Sequence, residues 1–404
     1  MNQHKNMTKS TKPAISHFLM FLLSFASAAT AANLYYSQPL LENLSQYFNV
    51  SSAVIGSAAM LIQIGYAVGL VFLVPLGDIR ERRSLIITML FCSMAALLGI
   101  SFASNVAWLI VGSVLIGLTS ITPMLIVALA AQLAEPTSSG KVIGNVMSGL
   151  LIGILLSRTF SGIVGTALGW QNVYRTAAAM MGFLIIVFYF LLPKFEPETA
   201  MNYGNLLKSL PILLRNQVVL RQSSLIGAMM FATFSVFWTS LSFLLKSPVY
   251  NLGAQAAGMF GLAGVAGALA ASFVGRIADK KNPKFTLTIG IILSFMSFIC
   301  FWVFGYHLWG LIVGVILLDL GIQSGQISNQ ACINALDASA RNRNNAVYMA
   351  FYFVGGAFGS FAGSYLWGMF GWTGVCTAGI IFQIAAFTVH ISGYKSRTNA
   401  SCIL

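Results

Sequence analysis

The sequence predicts an all-α membrane protein with twelve transmembrane helices in two pseudo-symmetric six-helix bundles. Three observations predict it. Only 8% of the residues are charged and 57% are hydrophobic, whereas a soluble domain carries about 25% charged residues to face water. A surface so poor in charge faces acyl chains. Twelve apolar runs are each long enough to cross a bilayer, for which about 20 residues suffice. Finally, fragments of the first half recur in the second at an offset of 202 residues.

The first run, 18–41, follows Lys5, Lys9 and Lys12 and contains Ala28-Ala29-Thr30-Ala31-Ala32. That arrangement resembles a secretory leader with a small-residue cleavage site. The apolar pattern nevertheless continues to Leu41, which predicts an uncleaved first helix. The second run, 53–76, ends at the loop holding Asp78, Arg80, Arg82 and Arg83, and the third, 85–104, begins after it. The fourth covers 107–132. The fifth, 143–167, starts after Lys141 and is divided from the sixth, 174–193, around Gly169-Trp170. A central loop from Lys194 to Arg221 follows. The seventh run, 222–245, ends at Lys246, and the eighth, 255–275, ends at Arg276. The ninth, 285–304, starts after Lys284, and the tenth, 308–335, after His307. Arg341 and Arg343 precede the eleventh, 345–370, which Gly371-Trp372 divides from the twelfth, 373–394. The expected organisation is a bundle over 1–193, a linker over 194–221 and a second bundle over 222–404.

Basic residues orient these helices, because basic loops resist translocation. With the N-terminus in the cytoplasm, nineteen of the twenty-two Lys and Arg residues fall on the cytoplasmic side. Only Arg175 and Lys246 fall outside, and Arg158 lies within a helix. One missed helix would invert every later loop and spoil the asymmetry. Both termini are therefore expected in the cytoplasm of a bacterial cell. The same clusters explain the net charge of +13 without nucleic acid, since no continuous basic face remains. Five cysteines (Cys92, Cys300, Cys332, Cys376, Cys402) are scattered without metal-ligand or disulfide spacing.

The repeat has three matches. Leu109-Ile-Val-Gly-Ser-Val-Leu-Ile-Gly-Leu118 parallels Leu311-Ile-Val-Gly-Val-Ile-Leu-Leu-Asp-Leu320, with six of ten positions identical. Gly169-Trp170 parallels Gly371-Trp372, and Asp78 parallels Asp279 at an offset of 201. A repeat in one orientation implies two related halves about an axis along the membrane normal, with a substrate site between them near mid-membrane.

The loop Pro75-Leu76-Gly77-Asp78-Ile79-Arg80-Glu81-Arg82-Arg83 and its counterpart Gly275-Arg276-Ile277-Ala278-Asp279-Lys280-Lys281-Asn282-Pro283-Lys284 resemble the signature loop of the major facilitator superfamily. A carboxylate at a helix end accepts charge-assisted hydrogen bonds from arginines and backbone groups of neighbouring helices. Asp78, Arg82, Arg83, Asp279 and Lys280 are accordingly expected to form a conformational latch; the alternative is that the arginines only set topology. The first copy departs from the pattern at Val74, Ile79 and Glu81, where the family carries glycine, a basic residue and glycine. Further segments resemble the drug-efflux, proton-antiporter-related branch: Asn33-Leu34-Tyr35-Tyr36-Ser37-Gln38-Pro39, Gly149 to Arg158, and Asp319 to Gly325. Gly112 stands where that branch usually has an arginine, and its Gly-Pro pair in the fifth helix is absent. The resemblance implies the major facilitator fold and secondary transport.

Arg158 and Asp319 are the two charged residues expected deep in helices, where each costs about 2.5–3.5 kcal/mol on insertion scales. Neither is shared by the repeat: Asp319 aligns with Gly117 and Arg158 with Ser360. They are local additions to a symmetrical scaffold, as a substrate or coupling site would be. Asp319, Gln323, Gln326 and Gln330 recur at helical spacing on one face, which is expected to line a cavity or to bond neighbouring helices. A buried carboxyl near an arginine responds to hydration and distance, so Asp319 is the expected proton carrier; a static Arg158–Asp319 pair is the alternative. Asn33, Tyr36, Gln38, Gln63 and Trp238 are further cavity candidates, though Tyr and Trp also anchor membrane interfaces.

The expected function is transport of a small organic compound by alternating access, as proton-coupled efflux. The alternatives are coupled or facilitated uptake of a sugar or organic acid and, in another class, a receptor or scaffold. An enzyme would need a deep catalytic cluster. An ATP-driven pump would need a phosphate-binding loop, which the sequence lacks. The expected partners are substrate, protons and lipid. No cofactor is expected beyond a proton gradient, and one chain holding both halves would work as a monomer.

Overall fold

The computed structural model describes residues 16–134, 139–193, 203–278, 283–336 and 340–395; the side chains of Asp78, 139, 268–278 and 393–395 lie outside what it describes. Asp279 and Lys280 of the expected latch also lie outside the described residues. Helices account for nearly all of the rest. They are α1 (His17–Ala32), a 3-10 turn (Gln38–Leu40), α2 (Leu41–Phe48), α3 (Ser52–Phe72), α4 (Leu76–Ile79), α5 (Arg82–Ser101), α6 (Val106–Thr119), α7 (Thr122–Leu133) and α8 (Ser139–Leu168). There follow α9 (Trp170–Leu191), α10 (Tyr203–Asn216), α11 (Val218–Lys246), α12 (Ala254–Ala278), α13 (Pro283–Phe304), α14 (Leu308–Asn334) and α15 (Arg341–Lys395). Twelve spans result, counting α1 with α2, α6 with α7, and α15 as two.

The junctions follow from local chemistry. α15 is broken at Gly371 (φ 58°), and α8 passes into α9 through Gly169 (φ 87°). Only glycine adopts these conformations freely. In each case the following tryptophan turns inward: Trp170 and Trp372 are buried, and Trp372 Nε1 donates to the Phe301 carbonyl at 2.9 Å. The Gly-Trp repeat in the sequence is thus a repeated corner.

Three expectations need correction. The first span is not one helix over 18–41: α1 stops at Ala32, and the chain passes through turns before α2 resumes. There the amides of Leu34 and Tyr35 bond three residues back, and Pro39 has no N–H to give. The fourth span is likewise divided at Ser120-Ile121, because Pro123 at the start of α7 cannot continue the ladder of α6. Lastly, the central loop contains α10, which buries Leu206 and Leu210 and is tied to the end of α3 by Tyr203 Oη donating to the Phe72 carbonyl at 2.6 Å.

Packing repeats with the sequence. In one half α1 packs on α8, α5 on α9 and α3 on α6; in the other α11 packs on α15, α13 on α15 and α12 on α14. Between halves, α3 packs on α15 and α12 on α8, again as equivalent pairs. The outward faces carry large apolar side chains such as Phe91, Phe183, Phe190, Trp302 and Phe358, as lipid contact requires.

Candidate functional site

Two ends of the bundle differ. The end carrying Arg82, Arg83, Lys141, Arg341 and Arg343 is here the basic end. At the opposite end the halves touch through small residues. Ser52 Oγ donates to the Ser364 carbonyl at 3.1 Å, and Thr159 Oγ1 to the Gly258 carbonyl at 2.9 Å. Gly162 meets Ala254 and Gly258 so closely that a methyl group on it would strike the Ala254 carbonyl. At the basic end a cavity of about 390 Å³ separates the halves, lined by Leu70, Val74 and Gln132 from one side and Asn342 and Met349 from the other. The halves are thus in contact at one end and parted by a cavity at the other.

Arg158 sits at mid-span in α8 and is completely buried. Its Nε donates to Gln38 Oε1 at 2.8 Å, in the break of the first span, and Nη1 reaches the Ile154 carbonyl at 3.4 Å. The guanidinium carbon lies 4.0 Å from the Trp238 ring centroid, 4.9 Å from Tyr35 and 5.3 Å from Phe234. Aromatic faces attract cations most strongly away from water, so three rings and an amide cage this charge. Nη2 has no hydrogen-bond partner. The repeat-related Ser360 occupies the equivalent place, accepting from Thr239 Oγ1 at 3.1 Å.

Asp319, in α14, is also completely buried, yet neither carboxylate oxygen has a hydrogen-bond partner. It packs against Gly264 and Gly267 of α12, and Arg158 packs against Gly261 one turn earlier. The two charges are therefore brought to neighbouring turns of one helix, within Coulomb range of each other and of Tyr35 and Tyr352. They do not meet as an ion pair: each keeps an unpartnered atom.

The remaining candidates spread along the interface. Gln63 Nε2 crosses between halves to Ser360 Oγ at 2.8 Å and Ser235 Oγ at 3.5 Å, and one turn on Tyr66 lies 4.4 Å from Phe353 between ring centroids. Gln326 Oε1 accepts from Tyr352 Oη at 3.4 Å, and Gln330 approaches Met349 Sδ at 3.9 Å, so this stripe bonds α14 to α15; Gln323 is half-buried on the same face. Trp238 belongs to the Arg158 cage. Tyr36 contributes its carbonyl to Ser161 and its ring to Phe160. Asn33 is held apart, its amide against Met181 Sδ within the first half.

At the basic end Arg82 donates to the carbonyls of Gly77 (3.0 Å) and Ala128 (3.3 Å) and to Gln132 Oε1 (2.7 Å). Arg83 donates to the Tyr189 carbonyl and lies over its ring. Both arginines thus bind the carbonyl ends of α7 and α9, where a cation is favoured. Sequence reasoning passed over Tyr35, Phe234 and the glycines at 258, 261, 264 and 267 of α12. The glycines recur at every third position, and that period was legible; the rings carried no signal distinguishing them from other apolar residues.

The comparisons agree with this architecture. The family profile described as Major Facilitator Superfamily matches residues 20–339. YgaY of Escherichia coli, named an uncharacterized transporter, is 39% identical over 393 residues, covering 97% of this chain and all of that protein. SCO4007 of Streptomyces coelicolor, named a probable transporter, is 29% identical over 384 residues, covering 94% of this chain and 88% of that one. Among solved structures, a bacterial homolog of the human lysosomal transporter Spinster, inward-facing and occupied, superposes with a TM-score of 0.75 at 12% identity, covering 96% of this chain and 98% of that one.

Proposed function

Since this chain belongs to the major facilitator superfamily, as an integral multi-pass membrane transporter and not an enzyme, we propose that it exports a small organic compound in exchange for protons. In this reading it lies in the bacterial inner membrane with the basic end and both termini in the cytoplasm, by the bias of its basic loops. The halves rock about the mid-span site, exposing it to one side at a time. The observation carrying the reading is Asp319, a completely buried carboxylate with both oxygens unpartnered. Arg158 is caged by Gln38 and three rings, whereas Asp319, packed against Gly264 and Gly267, receives no hydrogen bond on either oxygen. What neutralises such a carboxylate at short range is a proton or a cationic substrate, and exchange of one for the other is antiport. The efflux direction rests on the resemblance of the first, fifth and tenth spans to the drug-efflux branch.

Arg158 favours a second reading. Its unpartnered Nη2 suits a carboxylate, and a proton on Asp319 with an anion at Arg158 would be symport of an organic acid. Purified protein in liposomes under an imposed proton gradient separates these readings. Cationic drugs, sugars and organic acids are added in turn to wild type and Asp319→Asn. Proton movement driven by a cationic compound and lost in the variant is expected. Movement driven by organic acids in the symport direction supports the second reading. Proton coupling that survives in Asp319→Asn refutes both.

A further inference from the structure

A second buried polar group lies away from the site, inside the C-terminal bundle near the basic end. Ser224 of α11, Asn329 of α14, and Asn344 and Tyr348 of α15 are buried on three helices that pack on one another. The Ser224 hydroxyl and both amide atoms of Asn344 lack hydrogen-bond partners in the described structure, while the Tyr348 hydroxyl and the Asn329 amide have only each other at hydrogen-bonding approach. Tyr348 faces Asn329, and its ring lies against Gly227, where any side chain would collide with it. Orphaned polar groups are costly in a membrane interior, because nothing around them compensates. Their chemistry says what compensates them. Amide N–H donors and oxygen acceptors are orphaned together. A metal cation would satisfy only the oxygens and an anion only the N–H groups, whereas water, a double donor and double acceptor, satisfies both.

We propose that this cluster is the mouth of a water-held proton pathway that runs inside the C-terminal bundle from the basic end to Asp319, separate from the cavity between the halves. The inference rests on Asp319 being the proton carrier. Continuity comes from α15. Asn344 lies one turn above the exposed Arg341. Tyr348 and Tyr352 follow at four-residue steps on the same face. The two tyrosine rings are 5.9 Å apart between centroids, Tyr352 Oη donates to Gln326 Oε1 at 3.4 Å, and Tyr352 lies within Coulomb range of Asp319. A proton arriving from the cytoplasmic water binds the first oxygen of the file. Each water or tyrosine hydroxyl then accepts a proton on one side and releases one on the other. The last transfer forms the O–H bond of the Asp319 carboxyl, and the file resets by reorientation. The amides of Asn329 and Asn344 carry no proton; they hold the waters in line.

The test needs no substrate, only protons. Purified protein in liposomes is subjected to a pH jump, and the carboxyl C=O stretch of Asp319 is followed by time-resolved infrared absorbance, assigned by its loss in Asp319→Asn. Tyr352→Phe keeps the ring stacked on Phe231, 4.1 Å between centroids, and removes one oxygen; Asn344→Leu keeps volume and removes the amide. Tyr352→Phe is expected to slow the band by about tenfold or more, as loss of a positioned proton-transfer group does, and Asn344→Leu to slow it severalfold by releasing the waters that the amide holds in line. Asn345→Leu, the same change one residue on at the cavity wall, is expected to leave the rate unchanged. Wild-type rates in Tyr352→Phe and Asn344→Leu, or slowing in Asn345→Leu alone, overturn the pathway while leaving Asp319 as carrier. A band that never responds to pH, or that persists in Asp319→Asn, overturns the pathway together with the reading beneath it.

Discussion

Three of the contacts around Arg158 require a planar guanidinium: the stacking on Trp238 at 4.0 Å, the approach to Tyr35, and the Nε–H bond to Gln38. Lysine keeps the charge but offers a point ammonium that neither stacks nor forks. A desolvated cation–π contact is worth about 2 kcal/mol and a hydrogen bond to a charged group about 1.5–3 kcal/mol. Arg158→Lys is therefore expected to reduce proton-driven transport in liposomes by about tenfold or more, given that 1.4 kcal/mol is a factor of ten. Unchanged transport would show the cage to be incidental. Gln38→Leu tests the same cage through stability. It strands the Arg158 Nε–H, and should lower the free energy of reversible unfolding in detergent by about 1.5–3 kcal/mol. At this scale the sequence was legible for charge and silent for aromatics. Arg158 and Asp319 stand out because a charge in a span is costly, whereas Tyr35 and Phe234 look like any lipid-facing ring until the helices are packed.

Among the elements, α12 connects the two charges, and its glycines at 258, 261, 264 and 267 explain how. A three-residue step winds slowly around the helix, so the ladder begins against α8 of the other half and ends against α14 of its own. Gly258 and Gly261 admit the backbone of α8 at Arg158 and Leu155; Gly264 and Gly267 admit Asp319. The close contact of Gly162 with the backbone of Ala254 and Gly258 is then a seal built from the smallest residues. Gly162→Leu should hold this end apart and favour the conformation open there. The measurement is alkylation of Ala254→Cys, in a background without other cysteines, by a membrane-impermeant maleimide from the non-basic side. Ala254 is 4% exposed, so labelling should be slow by itself and several-fold faster with Gly162→Leu. Equal rates would place the seal elsewhere. Helix ends were readable from the apolar runs to within a few residues. The breaks at Asn33–Ser37 and Ser120-Ile121 were not, because hydropathy continues through them and only lost backbone bonds mark them. Gly169 and Gly371 were visible as a repeat, but the reason, a positive φ at each corner, belongs to the backbone.

For the whole molecule the repeat is mechanical as well as historical. Each half meets the other through equivalent helices, α3 with the first part of α15 and α12 with α8, so one rocking motion opens or closes both contacts together. Ser52 and Gly368 lie at the closed end in different halves, with Ser52 Oγ 3.0 Å from where a Cβ on residue 368 would stand. Disulfides form where Cβ atoms approach within about 3.5–4.5 Å, and small adjustments of two side chains reach that range. In Ser52→Cys/Gly368→Cys protein without other cysteines, oxidation should therefore cross-link the halves in the conformation open at the basic end. Net transport should stop, and a thiol reductant should restore it. Substrate binding from the basic side should survive oxidation, because the cavity at Leu70 and Met349 lies at the other end. Loss of both transport and binding would mean that the cross-link distorts the site rather than trapping a state. Transport that continues through an intact cross-link would mean that these ends never separate, and the alternating-access reading of this interface would fall with it.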